Sequence, residues 1–136
     1  MQAGMKHGVL VFALDAGCDR ISLEKRNGGL GMKKVRITVM RKACYQDLMA
    51  QYENPIEHAC DIEEGAVFIA NGWQRPEGMC ESAWESMSPF VMGLAHGAED
   101  FYDGWMKNPR SAMISCNDGF RPVSFLLETL DEDAEP

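Results

Sequence analysis

Apolar and polar positions alternate most cleanly over Lys34–Lys42, where Val35, Ile37 and Val39 are separated by Arg36, Thr38 and Met40. Successive side chains of a strand point to opposite faces, so this period of two predicts a strand with one buried face. Over Gln46–Tyr52 the pattern changes, and Leu48, Met49 and Tyr52 predict a short helix. Asn54-Pro55 stops it, because the residue before proline is pushed out of helical geometry. Ala66–Ala70 is a second short, apolar strand closed by Asn71-Gly72, and Pro76-Glu77-Gly78 makes a further turn. From Glu81 to His96, the residues Trp84, Met87, Val91, Leu94 and Ala95 recur at offsets of three, four and seven, the stripe of an amphipathic helix. Ser88-Pro89 interrupts the stripe, either as the cap and first turn of a second helix or as a kink in a single one. Gly97 is expected as the left-handed cap.

Ala98–Arg110 is polar and aromatic at once, with Phe101, Tyr102 and Trp105 set among Glu99, Asp100 and Asp103. Together with Trp73 these rings either line a pocket or subunit interface or cover an open end of the core. Ser111–Cys116 and Pro122–Leu130 read as a hairpin around Asn117-Asp118-Gly119, because Asp-Gly between apolar strands is a strong turn signal. Gly119 is expected at positive φ. The order strand, helix, strand, helix, strand, strand predicts an α+β fold: one small domain whose mainly antiparallel sheet carries one main helical region.

The chain has 136 residues and is 46% hydrophobic, enough for one domain with a core. No apolar run approaches the roughly 20 residues that span a bilayer. Thirteen Lys and Arg against 21 Asp and Glu give a net charge of −8, which argues against unselective binding to nucleic-acid phosphates. The charge is unevenly placed. Lys33, Lys34, Arg36, Arg41 and Lys42 crowd into one short stretch, and the chain ends in Asp131, Glu132, Asp133 and Glu135. Residues 131–136 are therefore expected as a solvated, frayed acidic tail, which bounds the domain at 32–130. The apolar run 8–14 is too short for a secretory signal and is broken by Asp15; a strand is the other structural reading. Met32 leads straight into the first strand and follows Gly28-Gly29, so it is expected as the biological start. Residues 1–31 are then an extension, disordered or loosely attached.

Five cysteines without a C-x-x-C pair indicate neither a disulfide framework nor a tight zinc knuckle, and the expected compartment is the cytoplasm. Three stretches carry a resemblance: Val35–Val39, Pro76-Glu77-Gly78-Met79-Cys80-Glu81-Ser82-Ala83-Trp84, and Cys116-Asn117-Asp118-Gly119-Phe120-Arg121-Pro122-Val123-Ser124-Phe125. In them the chain resembles, from about Met32 to Leu130, a family of small prokaryotic proteins known mainly as a domain of unknown function. The last stretch is its most specific part. The resemblance implies a compact α+β domain with recurring cysteines at Cys60, Cys80 and Cys116, and it implies no established activity.

Cys80 falls at the start of the helix that holds Trp84, where the positive end of the helix dipole favours a thiolate, while Glu77, Glu81 and Glu85 oppose it. Cys116 ends a strand beside the turn, and Cys60 sits two residues after His58. If these segments converge, three thiols and the His58 imidazole surround a soft metal such as zinc, with sulfurs within roughly 4 Å of one another. The 19 and 35 intervening residues carry almost no information by themselves. Cysteine also packs as a small hydrophobe, and that alternative stays open. Cys44 is expected in the core and Cys18 has no role. His96, at a helix end, reads as a cap. The acids between Glu57 and Glu64 read as a solvated face, and no G-x-S-x-G, phosphate loop or H-E-x-x-H is present.

Asp118 is either the residue that the turn requires or a ligand contact. Arg121 either clamps an anion bidentately or pairs with an acid such as Asp118. With Trp84 and Trp105 they complete the candidate ligand-binding set. The reading that follows is a small cytoplasmic accessory domain that binds a metal or ligand at its three cysteines. It leans away from catalysis and includes a possible homodimer, because few strands leave an edge to cover. The alternatives are a thiol-dependent enzyme or redox protein with Cys80 as nucleophile, and an interaction module using residues 101–105.

Overall fold

The computed structural model describes residues 31–57 and 59–136. β1 (Lys33–Lys42) buries Val35, Ile37 and Val39 on one face, as its alternation requires. It pairs antiparallel with β2 (Val67–Ala70) on one side and with the long β4 (Val123–Asp133) on the other; β3 (Ser111–Ser115) adds outside β4. The sheet order is β2-β1-β4-β3, with every pairing antiparallel. The expected α+β fold is what forms. One row of the buried face runs Phe68, Ile37, Leu127, Ala112 across all four strands.

α1 (Gln46–Tyr52) buries none of its residues. α2 (Glu81–Ala95) lies across the buried face with Ala83, Met87, Val91, Leu94 and Ala95 inward. Ala83, rather than Trp84, holds the inner position of the first turn; Trp84 is half-buried at the margin of the core. α2 runs through Pro89 as a single helix. Proline deletes the bond to the carbonyl four residues back. Pro89 and Glu85 are both exposed, so that carbonyl lies on the solvent side. The inward side chains on both sides of Pro89 press each half onto the same sheet. Gly97 is left-handed (φ 91°) just past the helix, as expected. The 98–110 connection is closed by the Asp100 N–H on the Pro109 carbonyl at 2.8 Å. Phe101 packs edge-on against Phe90 with centroids 5.2 Å apart.

The acidic end of the chain is not a frayed tail. β4 continues to Asp133, and the Ala134 N–H reaches the Met32 carbonyl at 2.7 Å. Lys33 meets Asp133 at 2.6 Å, Lys34 meets Glu132 and Glu135 at 3.4 Å each, and Arg36 meets Glu128 at 3.0 Å. Asn71 exchanges two hydrogen bonds with the Glu135 backbone. The basic first strand and the acidic last strand are neighbours, so each neutralises the other. Hydrogen bonding to Glu135, foremost, raises the Lys34 ammonium above its ordinary range.

At its other end β1 shifts register between Val39 and Arg41, the kind of irregularity that bends a strand. The chain then runs on beside the hairpin turn, with Ala43 N–H on the Pro122 carbonyl and Tyr45 N–H on the Phe120 carbonyl, both at 2.9 Å. This carries α1 and the segment after it over the end of the sheet where β3 gives way to β4. Among the described residues no helix is long and apolar enough to cross a membrane.

Candidate functional site

Three separate pieces of chain meet at that end of the sheet. The turn between β3 and β4 is built on Asp118, whose Oδ1 accepts the N–H groups of Phe120 and Arg121 at 2.8 and 3.1 Å. Asp118 is therefore the turn residue of its two readings. Gly119 does not have the expected positive φ, and a Cβ there would meet nothing within 4 Å. A carboxylate that gathers two N–H groups makes a longer turn, so the left-handed glycine of a two-residue hairpin is not required.

The turn is tied to the first turns of α2. Ser86 Oγ donates to the Ser115 carbonyl at 2.8 Å, and Asn117 Nδ2 donates to the Ser82 carbonyl at 3.2 Å. These bonds set Cys116, just past β3, on the same cavity as Cys80, the residue just before α2. Val123 N–H points at Cys116 Sγ at 3.3 Å, and Cys116 N–H returns to the Val123 carbonyl at 3.0 Å.

The third piece is the segment from Glu53 to Ala66. It rejoins the sheet where Gly65 N–H reaches the Val39 carbonyl (2.8 Å) and Val39 N–H reaches the Ala66 carbonyl (2.9 Å). Ile62 packs on the core, and Lys42 Nζ donates to the Cys60 carbonyl at 3.1 Å.

The result is a cavity of about 180 Å³ lined by Cys60, Cys80 and Cys116. Its walls are mainly apolar, with Ile62, Ala83, Val123 and Phe125, and Asp118 and Arg121 lie at its polar side. Cys60 and Cys80 are exposed, and Cys116 is half-buried. The three cysteines separated by 19 and 35 residues thus line one cavity. They do not stand in ligating geometry: among the described residues no three His, Cys, Asp or Glu side chains are placed to hold a metal ion. His58 lies outside the described residues.

Arg121 takes the ion-pair reading, with a partner other than the one expected. Its guanidinium meets both carboxylate oxygens of Glu53 at 2.6 and 2.9 Å, and the two side chains are 19% and 15% exposed. Donating hydrogen bonds to Glu53, foremost, raises Arg121 further above its already high ordinary range. No local pattern announces this partner, 68 residues away in sequence. The pair leaves little of Arg121 to clamp an anionic substrate. Trp84 and Trp105 do not line the cavity. Trp105 lies in the aromatic connection, edge-on to Tyr102 at 5.2 Å. There Tyr102 and Asp103 adopt left-handed backbone. Cys44 is exposed rather than in the core, with Sγ 3.7 Å from Met49 Sδ. His96 Nδ1 lies 2.8 Å from the Met92 carbonyl, in keeping with its place at a helix end.

No family model, curated protein or solved structure matches this chain. The chemistry of the cavity is therefore the basis on which its function is read.

Proposed function

We propose that the chain is a small accessory protein that holds a soft, thiophilic ligand in the cavity where Cys60, Cys80 and Cys116 meet, a thiolate-bound metal ion such as zinc being the leading occupant. One observation carries this reading: cysteines from a loop, a helix start and a hairpin line a single cavity. Sulfur is the donor that soft ions select, and a small volume with apolar walls suits an ion held by thiolates better than a solvated one. The N–H of Val123 aimed at Cys116 Sγ suits that sulfur as a ligand. Binding draws the Cys60 segment inward, since Cys80 and Cys116 are already fixed by the bonds between the turn and α2. The enzyme reading has less support, because an anionic substrate would have to take Arg121 from Glu53. Reduced thiols suit the cytoplasm. The edge strands β2 and β3 offer a route to a homodimer.

The experiment is titration of the reduced, full-length protein with zinc and with cadmium, following the thiolate-to-cadmium absorption in the ultraviolet. One ion per chain is expected, with loss of alkylation at all three thiols and recovery when a chelator is added. Replacing Cys60, Cys80 or Cys116 singly by Ser weakens binding, and Cys44→Ser does not. Absence of a thiolate band, or equal binding after all three are replaced, sinks the reading.

A further inference from the structure

The sheet has two faces, and α2 covers one of them. The thiol cavity belongs to that covered side, where Ala83, Val123 and Phe125 line it. On the opposite face, registered pairs form rows that cross all four strands. One row runs Val67, Thr38, Leu126, Met113, and the next runs Ile69, Arg36, Glu128, Ser111. Val67, Ile69 and Met113 on this face are 54%, 44% and 37% exposed, and Met40, further along β1, is 42% exposed. The outer face of an antiparallel sheet that meets water is ordinarily polar, so apolar side chains shared among three strands mark a contact surface.

The charges on the face say what covers it. The chain carries a net charge of −8, so two copies repel each other in most orientations. In the two rows the charged side chains are Arg36 and Glu128, which meet at 3.0 Å and cancel. They are also self-complementary. A two-fold axis along the strands, between β1 and β4, lays β1 over the β4 of a second copy and β2 over its β3. Each row then lies on the same row reversed. Arg36 faces Glu128 of the partner subunit, Glu128 faces Arg36 of the partner subunit, and Val67 meets Met113 of the partner subunit. A two-fold axis across the strands would instead lay Arg36 over Met40 of the partner subunit and bury a charge against an apolar side chain. The axis along the strands also brings Met40 of each copy to a hollow on the other, lined by Met40, Arg41, Met113 and Ser124. Methionine is flexible enough to fill such a hollow.

We infer that two copies of the chain associate through this open face, their sheets packed as a sandwich about 10 Å apart with Arg36 and Glu128 pairing across it. Four strands about 4.8 Å apart, over five residues of about 3.4 Å each, give a flat patch of roughly 320 Å² per copy. Side chains standing off the sheet add to it, and the total for two copies stays below about 1,200 Å², the low end of specific interfaces. The dimer therefore exchanges with monomer at micromolar concentrations. Nothing in this inference depends on what the thiol cavity holds.

The test is sedimentation of the reduced, full-length protein from about 1 to several hundred micromolar, a range that brackets a weak interface. A reversible monomer–dimer equilibrium is expected. Val67→Ser changes an exposed position on an edge strand, leaves the fold as it is, and weakens association by about tenfold. Arg36→Glu makes the face doubly acidic and Glu128→Arg makes it doubly basic, so each variant alone is monomeric. Mixed in equal amounts, they form a one-to-one dimer, because position 36 of each then faces the opposite charge at position 128 of the other. Hydrogen exchange along α2 in each variant confirms that the core is intact, and exchange at the free edges of β2 and β3 is the same in monomer and dimer.

A native protein that is monomeric at every concentration overturns the inference, whatever else covers the face. So does a dimer indifferent to Val67→Ser, or one in which the outer edges of β2 or β3 become protected, which marks edge-to-edge pairing. If the two charge variants keep an intact core and fail to associate when mixed, the pairing of Arg36 with Glu128 across the axis is wrong.

Discussion

The turn that carries Cys116 and Arg121 is held by a carboxylate rather than by the freedom of a glycine, and neighbouring substitutions separate these two causes. Asp118 Oδ1 accepts two backbone N–H groups, at 2.8 and 3.1 Å. A hydrogen bond to a charged group contributes roughly 1.5–3 kcal/mol net. Both bonds lie in a half-buried turn where water partly replaces them. Asp118→Ala is therefore expected to cost about 1.5–3 kcal/mol in total, less than twice the single-bond figure. Asp118→Asn keeps an oxygen in place and loses only the charge, at about 0.5–1 kcal/mol. Gly119 has no left-handed φ, and an added methyl would meet nothing within 4 Å. Gly119→Ala is accordingly neutral, or stabilising by about 0.4–1 kcal/mol through reduced freedom of the unfolded chain. Urea unfolding at constant slope reads all three. If Asp118→Ala unfolds at the native midpoint, or Gly119→Ala loses more than about 1 kcal/mol, the glycine reading of the turn is right and this one is wrong.

Two further outcomes test the frame around the site. Met87 is fully buried at the centre of α2, so Met87→Ala should cost about 2–5 kcal/mol in urea unfolding; a loss below about 1 kcal/mol would place it outside the core. Lys34 is raised above its ordinary value of 10.5 by Glu135 and Glu132, so the stability it contributes is complete below that pH and is lost as pH rises through the higher folded value. Lys34→Gln should therefore flatten the fall in melting temperature above about pH 10.5, and an unchanged alkaline limb would show that these contacts do not act in solution.

Most of the secondary structure was legible in the chain, because it depends on neighbours a few residues apart. The alternation of Val35, Ile37 and Val39 dictates which face of β1 is buried. The stripe Met87, Val91, Leu94, Ala95 dictates which side of α2 meets the sheet, and the hairpin follows from two apolar runs around a polar turn. The errors at this level are also local. Pro89 was an ambiguous stop signal, since proline removes one bond but packing on both sides can hold the helix together. Asp118 and Gly119 sit side by side, and either can make the turn; only backbone geometry shows that the carboxylate does.

What the tertiary structure alone decided concerns pairs far apart in sequence. The acidic residues 131–135 read as a solvated tail because their partners, Lys33 and Lys34, lie about a hundred positions earlier, and only the antiparallel pairing of β1 with β4 brings them together. Arg121 carried no mark of Glu53, because an ion pair constrains two side chains without imposing a pattern on the residues between them. The same holds for the site. Each cysteine was visible as a candidate, but spacings of 19 and 35 residues permit any distance between sulfurs in a folded chain. Hydrophobic periodicity fixes which face of an element is buried, since it reports a free energy that each residue contributes by itself. Where Cys60, Cys80 and Cys116 lie relative to one another depends on how three elements dock, and that follows from the packing of the whole core.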